Sequence, residues 1–215
     1  AGKAAIFDLD GTLLDSMGVW DQVDMEVLNR RGIKVPADYM PKVSAMQFDE
    51  VARYTIARFD LSDTPEQLMN ECNDIASVAY ATQVEVKPYA VQYLSMLKST
   101  GAHLAVATSL PPHLREPAMK HVGIHTFFDT VCSVDDVGNV GKEHPDVSML
   151  AAHHLGINPE DCTVFEDILV GLRSAKRAGM SIWAMHDDSS DKDWAEICTL
   201  ADGVLFDFHN APPVL

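Results

Sequence analysis

The most informative side chains are four carboxylates that occur as two pairs, each directly after a short apolar segment. They are Asp8, Asp10, Glu166 and Asp167. The apolar segments before them, residues 4–7 and 163–165, have the length and composition of buried strands. Carboxylates that gather at strand ends repel one another, and their pKa values rise unless a cation lies between them. An all-oxygen site of this kind suits Mg²⁺, which binds one or two carboxylates together with water and phosphate oxygens.

Two hydroxyl groups and an ammonium group follow at two further points of the chain. Thr108 and Ser109 come directly after the apolar segment 104–107, and Lys142 lies in the loop after the next predicted strand. In open parallel sheets, ligand-binding groups gather beyond the carboxyl ends of the strands. These groups together predict a metal site that handles phosphate. Thr108 and Ser109 have an alternative role as a cap of the next helix, and the sequence leaves it open.

The elements that must position these groups are short strands that alternate with helices after Pro88. The predicted strands are 4–7, 104–107, 130–133, 163–165, 182–185 and 204–206. The predicted helices are 88–100, 111–122, 145–155 and 168–179. Alternation of this kind indicates right-handed crossovers and a parallel sheet covered on both faces. We therefore expect an α/β core.

Residues 16–84 differ, because their patterns are all helical. Apolar residues recur at helical spacing from Trp20 to Leu28, and Gly32 ends this first helix. A second helix is expected from Ser44 to Phe59. A third is expected from Thr64, where a capping box and a proline begin it. The helical segment is thus an insertion between the first strand and the rest of the sheet.

The change of pattern sets the expected domain limits. Residues 1–15 and 85–215 would form the α/β domain, and residues 16–84 would form the helical one. Hinges are expected at Leu14–Gly18 and Thr82–Pro88. An insertion that closes over the strand ends would exclude water and select the substrate. Its candidate substrate contacts are Ser16, Trp20, Lys42, Met46 and Tyr54.

Composition excludes several classes of protein. The 215 residues are 47% apolar and carry a net charge of −16, which argues against a general binder of nucleic acid or anionic membranes. No apolar run is long enough to span a bilayer. The four cysteines are widely spaced without a C-x-x-C pair, so we expect reduced, mostly buried thiols and a cytoplasmic protein. A small phosphorylated substrate and a monomer or weak dimer complete these expectations.

Four motifs in order along the chain resemble those of the haloacid dehalogenase superfamily. DLDGTLLDS at residues 8–16 is similar to the first motif, and Thr108-Ser109 fits the second. Lys142 in GKEHPD resembles the third, and FEDILVGLRSAKRAGM at residues 165–180 resembles the fourth. The resemblance covers the whole chain and is nearest to the β-phosphoglucomutase-like phosphatases. It implies a Rossmann-like parallel sheet with an inserted all-helical cap of the C1 type.

The resemblance also implies a role for each candidate residue. Asp8 would be the nucleophile that forms an aspartyl-phosphate, and Asp10 would be the general acid and base. Thr108 would bind a phosphoryl oxygen through its hydroxyl, with the Ser109 amide nearby. Lys142 would offset the charge on Asp8 and the phosphoryl group.

The resemblance assigns Mg²⁺ to the carboxylate cluster. Its ligands would be the Asp8 carboxylate, the Asp10 main-chain carbonyl and the Asp167 carboxylate, while Glu166 would contribute through water or by supporting a ligand. Hydrolysis by water would make the protein a phosphatase. Re-entry of a sugar phosphate would make it a phosphoglucomutase, which uses the same core residues. A non-catalytic phospho-ligand-binding protein is a further alternative.

Overall fold

The computed structural model describes residues 2–44, 46–213 and 215 of the chain. These residues form two compact units, one of Ala1–Met17 with Val84–Leu215 and the other of Gly18–Gln83. The first unit contains a sheet with helices on both faces. The regular elements described in the second unit are helices only.

The sheet of the first unit is parallel throughout, which confirms the predicted α/β architecture. The strands of this unit are β1 (Ala4–Phe7), β2 (Leu14–Asp15), β3 (Glu85–Val86), β4 (His103–Thr108), β5 (Thr130–Ser133), β6 (Cys162–Glu166), β7 (Ser181–Met185) and β8 (Gly203–Leu205). Six of them form the sheet in the order β5-β4-β1-β6-β7-β8. The remaining two, β2 and β3, pair with each other as a separate antiparallel ribbon.

Helices cover both faces of the sheet, so its strands are apolar on both sides. The helices of this unit are α5 (Ala90–Ser99), α6 (Pro112–His121), α7 (Asp146–Leu155), α8 (Leu169–Arg177) and α9 (Trp194–Leu200). All four residues of β1 are fully buried. Ala4 and Ile6 pack in a core cluster with residues of α7 and α8. Phe7 points to the opposite face, where its ring stacks on Phe165 at 4.6 Å between centroids and meets Tyr93 of α5 edge-on.

The β2–β3 ribbon contains both chain segments that lead to the helical unit. Leu14 pairs with Val86 and Asp15 with Glu85. The next residue, Lys87, donates its backbone amide to Leu13 at 2.8 Å. Its side chain forms a buried ion pair with Asp187, at 2.6 Å, just beyond the end of β7. The ribbon is therefore fixed to the carboxyl edge of the sheet.

The helical unit contains α1 (Val19–Arg30), α2 (Tyr39–Val43), α3 (Phe48–Phe59) and α4 (Pro65–Thr82). The predicted capping box of α4 is confirmed, because Thr64 Oγ1 accepts the amide of Gln67 at 3.2 Å. The predicted start of the second helix at Ser44 is wrong. Gln47 and Glu50 form a capping box that begins α3 at Phe48, and Ser44 instead follows the short α2. Ala45, within that predicted helix, lies outside the described residues.

Two further features concern the cysteines and the apolar character of the helices. Three cysteine side chains are buried and Cys198 is exposed, and all four are free thiols. Among the described residues, no helix combines the length and the apolar character needed to cross a membrane.

Candidate active site

The candidate site lies where the order in which the chain adds strands to the sheet reverses. The chain passes from β1 to its neighbour β4 and on to β5, then returns to the other side of β1 as β6. Crevices form at such a switch point, beyond the carboxyl ends of the strands. Phe7 at the end of β1 is level with Val106 of β4 and Phe165 of β6. Asp8 therefore emerges beside the last residues of both neighbouring strands.

Asp8 and Glu166 share the ammonium group of Lys142. The Lys142 Nζ lies 2.7 Å from Asp8 Oδ1 and 2.6 Å from Glu166 Oε2, and all three side chains are buried. Glu166 is held in turn by the backbone amides of Asp167 and Ile168, at 3.0 and 3.3 Å. Glu166 thus fixes the position of the lysine that faces Asp8.

Asp167 occupies a cradle formed by the loop after β1. Thr12 Oγ1 donates to Asp167 Oδ1 at 3.0 Å, and both residues are buried. Gly11 lies beside the same carboxylate with φ of +78°, and a Cβ there would collide with Asp167 Oδ2. Neither Gly11 nor Thr12 was among the predicted site residues. Both residues nevertheless belong to the sequence motif that contains Asp8 and Asp10, and their place in that motif is the feature that could have identified them.

This cluster contains more buried carboxyl groups than cations, and the pKa values of its members reflect that excess. Burial, and then the charge of Glu166, raises the pKa of Asp8 to about 7, although Lys142 opposes the rise. Burial, and then the charges of Glu166 and Asp8, raises the pKa of Asp167 well above its usual value. Burial would also raise the pKa of Glu166, but the charge of Lys142 and the hydrogen bonds with Asp8, Asp167 and Lys142 together lower it. One ammonium group thus faces three buried carboxyl groups.

A cation fits this position on chemical grounds. Carboxylate oxygens of Asp8, Glu166 and Asp167 lie within 4.8 Å of one another. Asp167 Oδ2 is the one buried side-chain nitrogen or oxygen in residues 2–44, 46–213 and 215 without a hydrogen-bond partner. Buried polar atoms are rarely left unpaired, and an ion is one of the partners that explains such a case. Both carboxylate oxygens of Glu166 already accept hydrogen bonds, from Lys142 and from two backbone amides. Lys142 contacts only Oδ1 of Asp8, and Oδ2 of Asp167 has no partner, so Asp8 and Asp167 are the side chains best placed as ligands.

A second group of possible ligands lies at the surface, beyond the end of β7. It contains His186, Asp188 and Asp191, of which the two aspartates are exposed. His186 Nε2 is paired with Asp191 at 2.8 Å. This group lacks the burial and the unpartnered oxygen found at Asp167.

Asp10 is less buried than its neighbours and contacts a residue of the loop that follows β2. Ser16 Oγ donates to Asp10 Oδ1 at 2.5 Å, and Ser16 is buried. Ser16 was predicted as a substrate contact, and the structure places it against the predicted acid–base residue. A substrate role for Ser16 remains a prediction.

Thr108 is the last residue of β4, and Ser109 follows it at the same edge of the sheet. Thr108 is buried and its Oγ1 accepts the amide of Leu110 at 3.0 Å, whereas Ser109 is exposed. Neither residue caps α6, whose N-cap is Pro111. A hydroxyl whose oxygen accepts one bond still has its proton to donate. Thr108 can therefore donate to a ligand oxygen.

The other predicted substrate contacts make contacts within the helical unit. Trp20 meets Phe48 edge-on at 5.5 Å between ring centroids. Lys42 Nζ lies 5.5 Å from the ring centroid of Tyr54. Met46 packs against the small apolar cluster of this unit. In these contacts the residues pack against other residues of the helical unit. Their contact with substrate stays a prediction.

Comparisons with known proteins show the family to which the chain belongs. The fructose-1-phosphate phosphatase YqaB of Escherichia coli is 29% identical over 177 residues, covering 81% of this chain and 92% of that protein. A phosphorylated carbohydrates phosphatase of Thermotoga maritima is 25% identical over 178 residues, covering 83% of this chain and 82% of that protein. The structure of a β-phosphoglucomutase from Clostridium difficile shares the fold, with a TM-score of 0.72, 18% identity and coverage of 99% and 94%. The model of the haloacid dehalogenase-like hydrolases matches residues 3–179, and the chain belongs to that family.

Proposed function

We propose that this protein is a Mg²⁺-dependent phosphatase that hydrolyses a small phosphorylated metabolite through an aspartyl-phosphate on Asp8. The observation that carries the proposal is the buried cluster of Asp8, Lys142, Glu166 and Asp167, which has an unpartnered carboxylate oxygen on Asp167. It offers a nucleophile, a fixed cation and a place for a second cation. The names of the two curated relatives support phosphorylated carbohydrates as the substrate class.

The first step uses Asp8 and Asp10. A carboxylate oxygen of Asp8 attacks the phosphorus atom, and the bond from phosphorus to the leaving oxygen breaks. Asp10, in its protonated form, gives its proton to that oxygen, so the substrate leaves as an alcohol. Positioned proton transfer of this kind contributes about 10²–10⁴-fold in rate.

The second step restores Asp8. A water molecule attacks the phosphorus of the aspartyl-phosphate, Asp10 takes a proton from the water, and the bond from phosphorus to the Asp8 oxygen breaks. Inorganic phosphate is released. Asp10 thus acts first as acid and then as base, and the enzyme returns to its starting state.

Three groups would hold the transferring phosphoryl group. Thr108 donates its hydroxyl proton to a phosphoryl oxygen, and the Ser109 amide binds beside it. Lys142 offsets the developing charge, and Glu166 keeps its ammonium group in place. These three groups are held in place before the reaction begins, so no free energy is spent on orienting them during it.

Mg²⁺ would be held by the carboxylates of Asp8 and Asp167 and by the main-chain carbonyl of Asp10. When bound, it neutralises charge between the attacking carboxylate and the phosphoryl group. Thr12 supports this site by fixing the second oxygen of Asp167. Glu166 supports it through Lys142.

The test is phosphate release from a panel of phosphorylated sugars, nucleotides and small acids. Each compound is assayed with Mg²⁺, with EDTA, and with the Asp8→Asn variant. We expect Mg²⁺-dependent release that falls below about a thousandth of wild type in Asp8→Asn. The matched control is Asp161→Asn, which removes a carboxylate that lies just before β6 and pairs with Lys3.

The outcomes separate the proposal from its alternatives. Release that persists in Asp8→Asn would exclude Asp8 as the nucleophile. Isomerisation of a sugar phosphate without net release would indicate a phosphoglucomutase. Binding of phosphate compounds with no turnover of any of them would indicate a binding protein.

We also propose a cytoplasmic protein that acts as a monomer or weak dimer on a small substrate, without nucleic acid or membrane partners. The four free thiols fit a reducing compartment. The net charge of −16 opposes binding to polyanions. Light scattering and fractionation of the native host test these points.

A further inference from the structure

A buried arginine lies next to the turn that contains Thr108. Arg115 is on the first half of α6 and is only 8% exposed. Its Nη1 donates to Ser133 Oγ and, at 3.4 Å, to the carbonyl oxygen of Leu110. The nearest carboxylate oxygen, on Asp135, is 4.0 Å away. The hydroxyl of Ser133 also donates to Asp135, so Arg115 is linked to that carboxylate mainly through Ser133. A buried guanidinium is stable only where its hydrogen bonds are satisfied, and those of Arg115 fix its position beside the turn.

The contacts of Arg115 lead directly to the Thr108 hydroxyl. Leu110 is held on both sides, because its amide donates to Thr108 Oγ1 at 3.0 Å and its carbonyl accepts from Arg115. Ser133, the other partner of Arg115, is level with Thr108 in the pairing of β4 and β5. Arg115 therefore ties the turn 108–110 to the end of the neighbouring strand.

This arrangement determines where the proton of Thr108 points. The amide of Leu110 occupies one lone pair of the Thr108 oxygen, which leaves the hydroxyl proton for another acceptor. If the turn moved, the amide of Leu110 would move with it and the hydroxyl could rotate. The Ser109 amide lies in the same turn and would move as well.

We infer that Arg115 is a positioning residue for the phosphate-binding turn 108–110, acting through the carbonyl of Leu110 and the hydroxyl of Ser133. The inference rests on the proposed function, since it assigns the turn to the phosphoryl group. Arg115 itself touches no reacting atom. Its effect is to hold the Thr108 hydroxyl and the Ser109 amide in one geometry.

The experiment measures binding of inorganic phosphate by calorimetry in the presence of Mg²⁺, together with kcat and KM for the best substrate of the panel. In Arg115→Gln we expect phosphate to bind about 10-fold more weakly and kcat/KM to fall about 10–100-fold, as for other residues that orient a binding group. Ser133→Ala keeps the guanidinium but removes one partner, and a loss in the same direction but smaller is expected.

The matched control acts on the same two strands at their other ends. Asp129 accepts the amide of Leu104 at 3.0 Å and so ties the start of β5 to the start of β4. Asp129→Ala should lower the melting temperature but leave phosphate binding and kcat/KM within about twofold of wild type. A purely structural role of Arg115 would give the same result as this control.

A double-mutant cycle with Thr108→Ala shows whether Arg115 acts through the turn. Once the Thr108 hydroxyl is absent, Arg115→Gln should lower kcat/KM by a clearly smaller factor than in wild type, with the remaining loss due to the Ser109 amide. An equal loss in both backgrounds would overturn the inference, as would wild-type phosphate affinity in Arg115→Gln. If Arg115→Gln does not fold, wild-type phosphate affinity in Ser133→Ala would overturn it.

Failure of the proposed function gives a different result. If wild-type protein binds inorganic phosphate but hydrolyses no compound, the phosphatase assignment fails, while the phosphate affinity of the variants still decides the role of Arg115. If wild-type protein does not bind phosphate at all, both conclusions fall.

Discussion

Replacement of Asp24 by asparagine should stabilise the helical unit at neutral pH. Asp24 lies on α1 and faces an apolar pocket that includes Val27, Phe48 and Leu68. Burial, and then the charge of Asp21, raises its pKa from 3.8 to about 6. Asparagine has nearly the same shape as aspartate and carries no charge.

The magnitude follows from the difference in proton affinity. A rise in pKa from 3.8 to about 6 corresponds to at most about 3 kcal/mol, at 1.36 kcal/mol for each pH unit. Because Asp24 is only partly buried, solvent screening reduces this to about 1–2 kcal/mol. The folded protein holds the Asp24 proton more tightly than the unfolded chain does. The ionised carboxylate therefore lowers the free energy of unfolding most above pH 6, and stability returns as the pH falls from 6 towards 4.

The assay is urea unfolding of wild type and Asp24→Asn at pH 7.5 and pH 5.0. Hydrogen exchange of α1 amides assigns the transition to the helical unit. We expect the variant to be more stable by about 1–2 kcal/mol at pH 7.5, and by about half as much at pH 5.0.

The control is Asp21→Asn, which removes the same charge from an exposed position of α1 and should change stability by less than about 0.5 kcal/mol. The reasoning is refuted if Asp24→Asn stabilises no more than Asp21→Asn, or if its effect is the same at both pH values.

Three further predictions concern the sheet unit. Thr12→Val removes the bond that orients Asp167, so Mg²⁺ affinity measured by calorimetry should fall about 10–100-fold; an unchanged affinity would contradict the cradle. Lys142→Ala should weaken phosphate binding and lower kcat at least about 100-fold in steady-state kinetics, whereas a wild-type rate would exclude its role. Lys87→Met leaves the buried carboxylate of Asp187 with its bonds from Ser189 but without its cation, so the free energy of unfolding should fall by about 3 kcal/mol in thermal denaturation. The double variant Lys87→Met/Asp187→Leu should recover most of that loss, and failure to recover would show that the ion pair itself is favourable.

The six strands of the parallel sheet, and helices of both units, could be predicted where they carry a strong local pattern. The apolar run before Asp8 coincides with β1, and α4 begins after Thr64 as its capping box indicates. The order of the strands is not a local property. It depends on which strands pair across long segments, and the sequence pattern gives no pairing.

The short elements could not be predicted, for a physical reason. Strands of two residues, such as β2 and β3, have no periodicity and exist because they pair with each other. The helix α2 has five residues, fewer than two turns, so its apolar spacing is not distinguishable from a loop. The misplaced start of α3 has a different origin, because the capping box that begins this helix uses Gln47, which is not one of the usual N-cap residues.

The charged residues of the candidate site could be predicted from the sequence. The residues that hold those charged side chains in place could not. Carboxylates and a lysine at strand ends stand out in a sequence, as Asp8 and Lys142 do. Thr12 and Arg115 do not, because threonine and arginine are common on surfaces. Their roles depend on burial and on partners far along the chain, as the bond from Thr12 to Asp167 shows.

The pairing of β2 with β3 brings together the two points at which the helical unit joins the sheet unit. Opposed residues of an antiparallel pair have Cα atoms about 5 Å apart, which is the span of a two-residue turn. The chain therefore leaves the sheet unit and returns to it at one point, through Asp15 and Glu85. A segment joined in this way can be shortened, lengthened or exchanged while the chain still closes, because closure depends only weakly on its length. Recombination between the two strands of the ribbon could therefore replace the unit Gly18–Gln83 and leave the sheet and its carboxylates in place.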